Sequence, residues 1–172
     1  MAERRRGDGQ GPFGGDQIGP NPTDRGKPGT KRSLIVDEQG GPLGVVIAGA
    51  NVHDTKLLAA TIDAIVVERP AEQQHLCLDK GYDNPTGHTA TARAGYQPHI
   101  RPIGEEKPAK KDCRNPPRRW VVERTLGWLS KCRAILVRYD KYARNYLGLI
   151  QLACATYWFR RLSRLCGEPV LG

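Results

Sequence analysis

The chain has 172 residues, room for one ordinary domain, and with 38 % hydrophobic and 26 % charged residues it can support a core, which excludes full disorder. Lys and Arg outnumber Asp and Glu by 27 to 18, and a chain carrying +9 is expected to meet a polyanion. The longest apolar stretch, Tyr146–Phe159, is too short to cross a membrane, no signal peptide opens the chain, and five cysteines without a C-x-x-C pair argue for free thiols in a reducing cytosol.

Residues 1–30 read as a disordered or loop-like segment, rich in Gly and Pro. Regular structure is expected from Lys31. Ser33-Leu34-Ile35-Val36 reads as a strand, Asp37–Gly41 as a turn, and Pro42–Ala48 as the returning strand of a hairpin. A helix follows, with Asp54 as its N-cap and Leu57, Leu58, Ile62, Ile65 and Val66 at helical spacing. His75–Leu78 is a short buried-type strand stopped by Asp79-Lys80-Gly81-Tyr82-Asp83-Asn84. A second helix is expected over Pro85–Ala94, and a weaker strand over Tyr96–Ile100. After a basic segment, one long helix is expected over about Arg119–Leu136 and a final one over about Asn145–Leu165. The order suggests a mixed sheet with helices on its faces. The domain is bounded at 31–166, with 167–172 as a tail.

Charge is unevenly spread: +3 over residues 1–32, −4 over 33–100 and +10 over 101–172. The acidic middle can hold cations and the basic end phosphates. Asp79 ends a buried strand, where carboxylates of α/β sheets point into ligand crevices; the plain alternative is a turn Asp bonding its own backbone. Asp83 reads as a turn or cap residue. Glu123 lies on the polar side of the long helix, with Gly127 one turn on leaving room for another group; a surface pair with Arg119 is the alternative. Asp37, Asp54 and His53 are accounted for by a turn and a helix start. Phosphate-loop, dinucleotide and hydrolase-elbow motifs are absent from the sequence. Lys107, Lys110, Lys111, Arg114, Arg118 and Arg119 stand against Asp112 alone, a density that points to nucleic-acid phosphates, with Arg124 and Lys131 as weaker contacts.

Four stretches in order, Gly19-Pro20-Asn21-Pro22-Thr23-Asp24-Arg25-Gly26-Lys27, Gly49-Ala50-Asn51-Val52-His53-Asp54, Leu78-Asp79-Lys80-Gly81-Tyr82-Asp83 and Arg119-Trp120-Val121-Val122-Glu123-Arg124-Thr125, resemble the DDE transposases of bacterial insertion sequences, in their insertion-sequence-five-like group. The resemblance runs from about Gly14 to Leu165. It implies a ribonuclease-H-like fold in which two aspartates and a glutamate hold two divalent ions, usually Mg²⁺ with Mn²⁺ as a substitute, for in-line attack on phosphodiesters. By the motif match Asp79 is the second aspartate and Glu123 the glutamate. The first belongs to an Asp-Gly motif ending the first, central strand. Asp8-Gly9 is the pair on offer, but Met1–Gly7 does not read as that strand. The expectation is therefore the catalytic, C-terminal portion of a transposase with its first strand missing, incomplete as an isolated chain.

The function expected is metal-dependent DNA cleavage and strand transfer during insertion-sequence transposition. A non-enzymatic DNA-binding remnant and a nuclease of the same fold are the rivals. Expected partners are transposon ends and target DNA, a second copy of the chain, and an upstream-frame product supplying the N-terminal region. The expected location is the bacterial cytoplasm, at the nucleoid.

Overall fold

The computed structural model describes residues 9–11, 13–100 and 119–167. Its elements run β1 (Gly9–Gln10), β2 (Gly19–Pro20), β3 (Pro28–Val36), β4 (Pro42–Gly49), α1 (Asp54–Asp63), β5 (His75–Leu78), α2 (Pro85–Arg93), β6 (Gln97–Ile100), α3 (Arg119–Leu129), α4 (Arg133–Leu136) and α5 (Ala143–Leu165). The architecture is mixed α/β.

β3 is the organising strand. Successive side chains of a strand point to opposite faces, and here they feed two cores. Leu34 joins Val45, Ile47, Val122, Leu126, Leu129, Ile135, Tyr146 and Ile150 under α3 and α5. Its neighbour Ile35 joins Leu58, Ile62, Leu76, Leu78 and Tyr82 under α1 and beside β5. The β3–β4 hairpin pairs Thr30 with Gly49 through Val36 with Pro42, with an irregular step between Ile35 and Val36. Its turn is made by Asp37, whose Oδ1 accepts the Gln39 N–H at 2.9 Å and the Gly41 N–H at 2.6 Å. The other carboxylate oxygen takes Arg161 Nη1 of α5 at 2.7 Å.

The expected single mixed sheet is divided. β1 to β4 form one antiparallel sheet, and β5 and β6 form a separate parallel pair, His75 opposite Gln97 through Leu78 opposite Ile100. Gly29 pairs with both Gln10 and Gly19, and Thr30 with both Gly9 and Gly49. A strand residue has two edges, so β1 lies on the edge opposite β2 and β4. β1 covers only Gly29 and Thr30. Beyond them, Ser33–Val36 carries no strand on that edge among the described residues.

β3 starts at Pro28, earlier than the expected Lys31, because β1, β2 and the turn after β2 pair with its first residues. In that turn Asn21 Oδ1 accepts the Thr23 N–H at 3.0 Å, and Asn21 N–H donates to the Lys27 carbonyl at 2.8 Å. Gly19 permits a close approach: a Cβ there would lie 1.9 Å from Asn51 Oδ1. Two of the four motif stretches thus rest on one another.

Helix ends also differ from expectation. The α1 N-cap is His53, whose Nδ1 faces the Thr55 N–H at 3.4 Å and its hydroxyl at 2.8 Å. Asp54 is the first helical residue instead, and pairs with Lys31. The expected long helix is two helices, α3 and α4. At the break Ser130 Oγ donates back to the Leu126 carbonyl at 2.8 Å, and the Lys131 and Cys132 N–H groups take tight i−3 bonds at 3.0 and 3.1 Å. Helices often end in such a tightened turn.

Arg138, 1 % exposed, fastens the segment between α4 and α5 to the sheet. It donates to Thr30 Oγ1 at 2.8 Å, the Asp140 carbonyl at 2.8 Å and the Lys141 carbonyl at 3.1 Å, beneath the Tyr146 ring at 5.2 Å. Burial lowers its pKa from the ordinary guanidinium value, with Tyr146, Asp16 and Asp140 opposing the shift. Cys77, Cys132, Cys154 and Cys166 are free thiols, as expected. Among the described residues no helix is long and apolar enough to cross a membrane.

Candidate active site

Asp79 follows the last residue of β5. Its Oδ1 accepts the Lys80 N–H at 2.8 Å, so the carboxylate caps the 3-10 turn Lys80–Tyr82. Tyr82 anchors that turn by burying its ring in the core beside Leu76 and Leu78. Asn84 caps α2, accepting the Gly87 N–H at 3.0 Å, and Asp83 faces His88 Nε2 at 3.1 Å. Both readings of Asp79 are therefore compatible: it is a turn residue, and it stands half-buried at a strand's C-terminal end. Asp83 is the cap-side residue expected.

Glu123 is half-buried on α3, between buried Val122 and exposed Arg124. Two neighbours lock the helix to the β3–β4 turn. The buried Thr125 hydroxyl donates to the Gly40 carbonyl at 2.7 Å, and Arg124 donates to the Gln39 carbonyl with its guanidinium 4.9 Å from the centre of the exposed Trp120 ring. Val121 and Val122 line a cleft of about 570 Å³ together with Ile35 and Val36 of β3 and Leu76 and Cys77 of β5. The cleft runs between the two sheets. Asp79 and Glu123 do not line it; each follows closely on residues that do.

Among the described residues no three His, Cys, Asp or Glu side chains gather to hold a metal ion. Asp79 and Glu123 are hard oxygen donors of the kind Mg²⁺ takes, so the donor type fits and the number is short. Asp8, Lys107, Lys110, Lys111, Arg114 and Arg118 lie outside the described residues, and Arg119 opens α3. Lys131 is exposed in the turn after α3. Two arginines escaped the sequence reading. Arg32, buried in β3, donates from Nη2 to Ser130 Oγ at 3.1 Å, and Arg138 holds Thr30. The hydroxyls they reach, Ser130 and Thr30, lie far off in the sequence and leave no local pattern.

Residues 6–158 match the family described as the transposase DDE domain. The chain is also 33 % identical over 158 residues to a Burkholderia cepacia protein assigned as the transposase of insertion sequence element IS402, with 88 % of this chain and 73 % of that one covered. The chain belongs to the DDE transposases of insertion sequences. No solved structure matches it. The family match begins ahead of Asp8 and takes in both Asp79 and Glu123.

Proposed function

We propose that this DDE transposase chain carries metal-dependent DNA cleavage and strand transfer, with Asp79 and Glu123 as metal ligands in a ribonuclease-H-like domain. The observation that carries the reading is the convergence of two elements on one cleft. Asp79 directly follows β5 and α3 bears Glu123, and both elements line the gap between the sheets. The proposed third carboxylate is Asp8; its sequence neighbour Gly9 pairs with Thr30 on the β3 edge that borders no other strand among the described residues. Mg²⁺, with Mn²⁺ as a substitute, would supply polarisation of the scissile phosphodiester. The chain's own part is to hold carboxylates at a strand end and on a locked helix, and to bring DNA to them by Lys107, Lys110, Lys111, Arg114, Arg118 and Arg119, with Arg124 and Lys131 at the margin. Among the described residues no strand borders β3 beyond Thr30 on the edge that carries β1, which leaves room there for a further strand to complete the sheet.

The test is nicking of supercoiled DNA with Mg²⁺, followed by joining of pre-cut ends. Asp79→Asn and Glu123→Gln are expected to abolish both while leaving the far-UV circular dichroism unchanged. Cleavage indifferent to both substitutions overturns the assignment. Cleavage without joining marks a nuclease. DNA binding without cleavage, even with an upstream strand segment added, marks a remnant.

A further inference from the structure

β5 and β6 form a separate parallel pair whose two faces are unlike. On one face Leu76, Leu78 and Ile100 pack into the core beside Leu58 and Ile62. Side chains alternate along a strand, so His75, Cys77, Gln97 and His99 share the other face. His75 stands opposite Gln97 and His99 opposite Cys77, which makes the two histidines diagonal neighbours within reach of one another. Their ring centres lie 4.8 Å apart with the planes 31° from parallel, and His75 Nδ1 faces His99 Nε2 at 2.6 Å. The contact is exposed to solvent. The chain has two other histidines: His53 caps α1 and His88 faces Asp83.

We propose that His75 and His99 form a two-histidine site for a divalent transition ion that takes its ligands at right angles, Ni²⁺ or Cu²⁺. Three observations carry it. First, the two nitrogens already aim at one point, where a proton on one meets the lone pair of the other. The donating ring can pass that proton to its second nitrogen, and both lone pairs then face an ion with no change in the rings' charge. Second, the spacing selects the ion. With imidazole bonds of about 2.0–2.1 Å, two ligands at right angles stand about 2.9 Å apart and two tetrahedral ones about 3.4 Å apart. From 2.6 Å the first needs a spread of about 0.3 Å and the second about 0.8 Å. Small ring rotations supply the former, so a tetragonal ion is preferred to Zn²⁺. Third, the support is fixed. Four successive pairings, His75 with Gln97 through Leu78 with Ile100, set the strands side by side, and buried Leu76 and Leu78 anchor them from behind. Among the described residues no further His, Cys, Asp or Glu makes the pair a set of three, so water fills the remaining positions. The site is distinct from Asp79 and Glu123, because Mg²⁺ takes hard oxygens and leaves imidazoles to softer ions. A two-stranded pair has little stability of its own, so a bound ion acts as a clip between β5 and β6 just ahead of Asp79. The proposal uses none of the DNA chemistry above.

The full chain is titrated with NiCl₂ by calorimetry in excess Mg²⁺, and its thermal unfolding is followed with and without Ni²⁺. One Ni²⁺ is expected to bind per chain and to raise Tm, since the ion favours the folded state. His75→Ala and His99→Ala are each expected to abolish both effects, and His88→Ala to leave both in place. A second readout needs no variant. Bound Ni²⁺ is expected to shield His75 and His99 from diethyl pyrocarbonate and to leave His53 and His88 reactive, read by peptide mass spectrometry. The proposal is overturned by absence of Ni²⁺ binding, by binding that survives either histidine substitution, or by shielding of His53 or His88 instead. Zn²⁺ displacing Ni²⁺ at equal concentration would overturn the right-angle geometry.

Discussion

Two helical glycines give a test in which the same substitution should act with opposite sign. Gly→Ala inside a helix ordinarily stabilises by about 1 kcal/mol, because alanine loses less backbone freedom on folding. Around Gly127 of α3 nothing lies within 4 Å of the position a Cβ would take, so Gly127→Ala should realise most of that gain. Gly87 of α2 is different. A Cβ there would lie 2.2 Å from the Tyr82 carbonyl oxygen, 3.2 Å from its carbon and 3.4 Å from its Cα. The obstacle is backbone, and it cannot swing aside. The same carbonyl accepts the Asn84 N–H at 2.8 Å, and the Tyr82 ring is 2 % exposed, so the turn is held from both ends. Overpacking of this kind costs about 1–3 kcal/mol. It offsets the helical gain and leaves Gly87→Ala less stable than the natural chain by up to about 2 kcal/mol. For a chain of this size 1 kcal/mol moves Tm by about 2–4 °C. Thermal unfolding followed at 222 nm should rank Gly127→Ala above the natural chain and Gly87→Ala below it. A Gly87→Ala protein that melts at or above the natural Tm would refute the packing of α2 against the turn that Asp79 caps.

Thr125→Val keeps the shape of a buried side chain but removes the donor to the Gly40 carbonyl; urea unfolding should register a loss of about 1–3 kcal/mol, and a neutral result would deny that this bond locks α3. Burial pushes the Cys154 thiol up to about 11, so at pH 8 iodoacetamide should modify exposed Cys166 well before Cys154 by peptide mass spectrometry. Because the folded state favours the neutral thiol, Cys154 contributes stability that is whole below the ordinary value of 9.0 and is lost as pH rises through about 11; a Cys154→Ala chain should lose less stability over that range. DNA binding should weaken steeply with salt and show little sequence preference, and replacing Lys107, Lys110, Lys111 and Arg114 by Ala should flatten the slope of log K against log salt; an unchanged slope would return that segment to solvent.

The elements that could be read from sequence are those whose signals are local. Asp37 announced its turn because a short carboxylate can accept two nearby N–H groups, and it does. Pro85 and Gly95 bracketed α2 by equally local signals, a first-turn proline at one end and a glycine with φ 68° just past the other, whereas its cap, Asn84, reads only as part of the preceding turn. The division of the long helix was not legible, because Leu129 and Ile135 reach the same core from either side of the break, and the apolar period runs on unbroken. Nor was the start of β3, whose partners β1 and β2 are too short and glycine-rich to carry a strand pattern of their own. They are held by β3, a contact that no window of neighbouring residues contains.

The four motif stretches were all legible as words, yet they differ in what they do physically. Gly19–Lys27 and Gly49–Asp54 hold the N-terminal end of β3: Asn51 rests on Gly19, and Lys31 Nζ donates to the Val52 carbonyl at 2.7 Å while pairing with Asp54. Their polar groups are spent on turns and caps. The stretches around Asp79 and Glu123 use their neighbours for anchorage instead. Tyr82 is sunk in one core, Val122 in the other, and Thr125 is tied to Gly40. Each carboxylate is thereby carried half-buried on a rigid base, at a strand end or along a locked helix. Anchoring the neighbours and leaving the acid at the surface of the core is what a cation site requires of its scaffold. On this division, substitutions in the first two stretches should act through stability, and substitutions at Asp79 and Glu123 through chemistry. Asn51→Ala that lowered Tm yet left Mg²⁺-dependent nicking per folded molecule intact would uphold it. Asn51→Ala that left Tm unchanged and abolished nicking would place the second stretch in the active site.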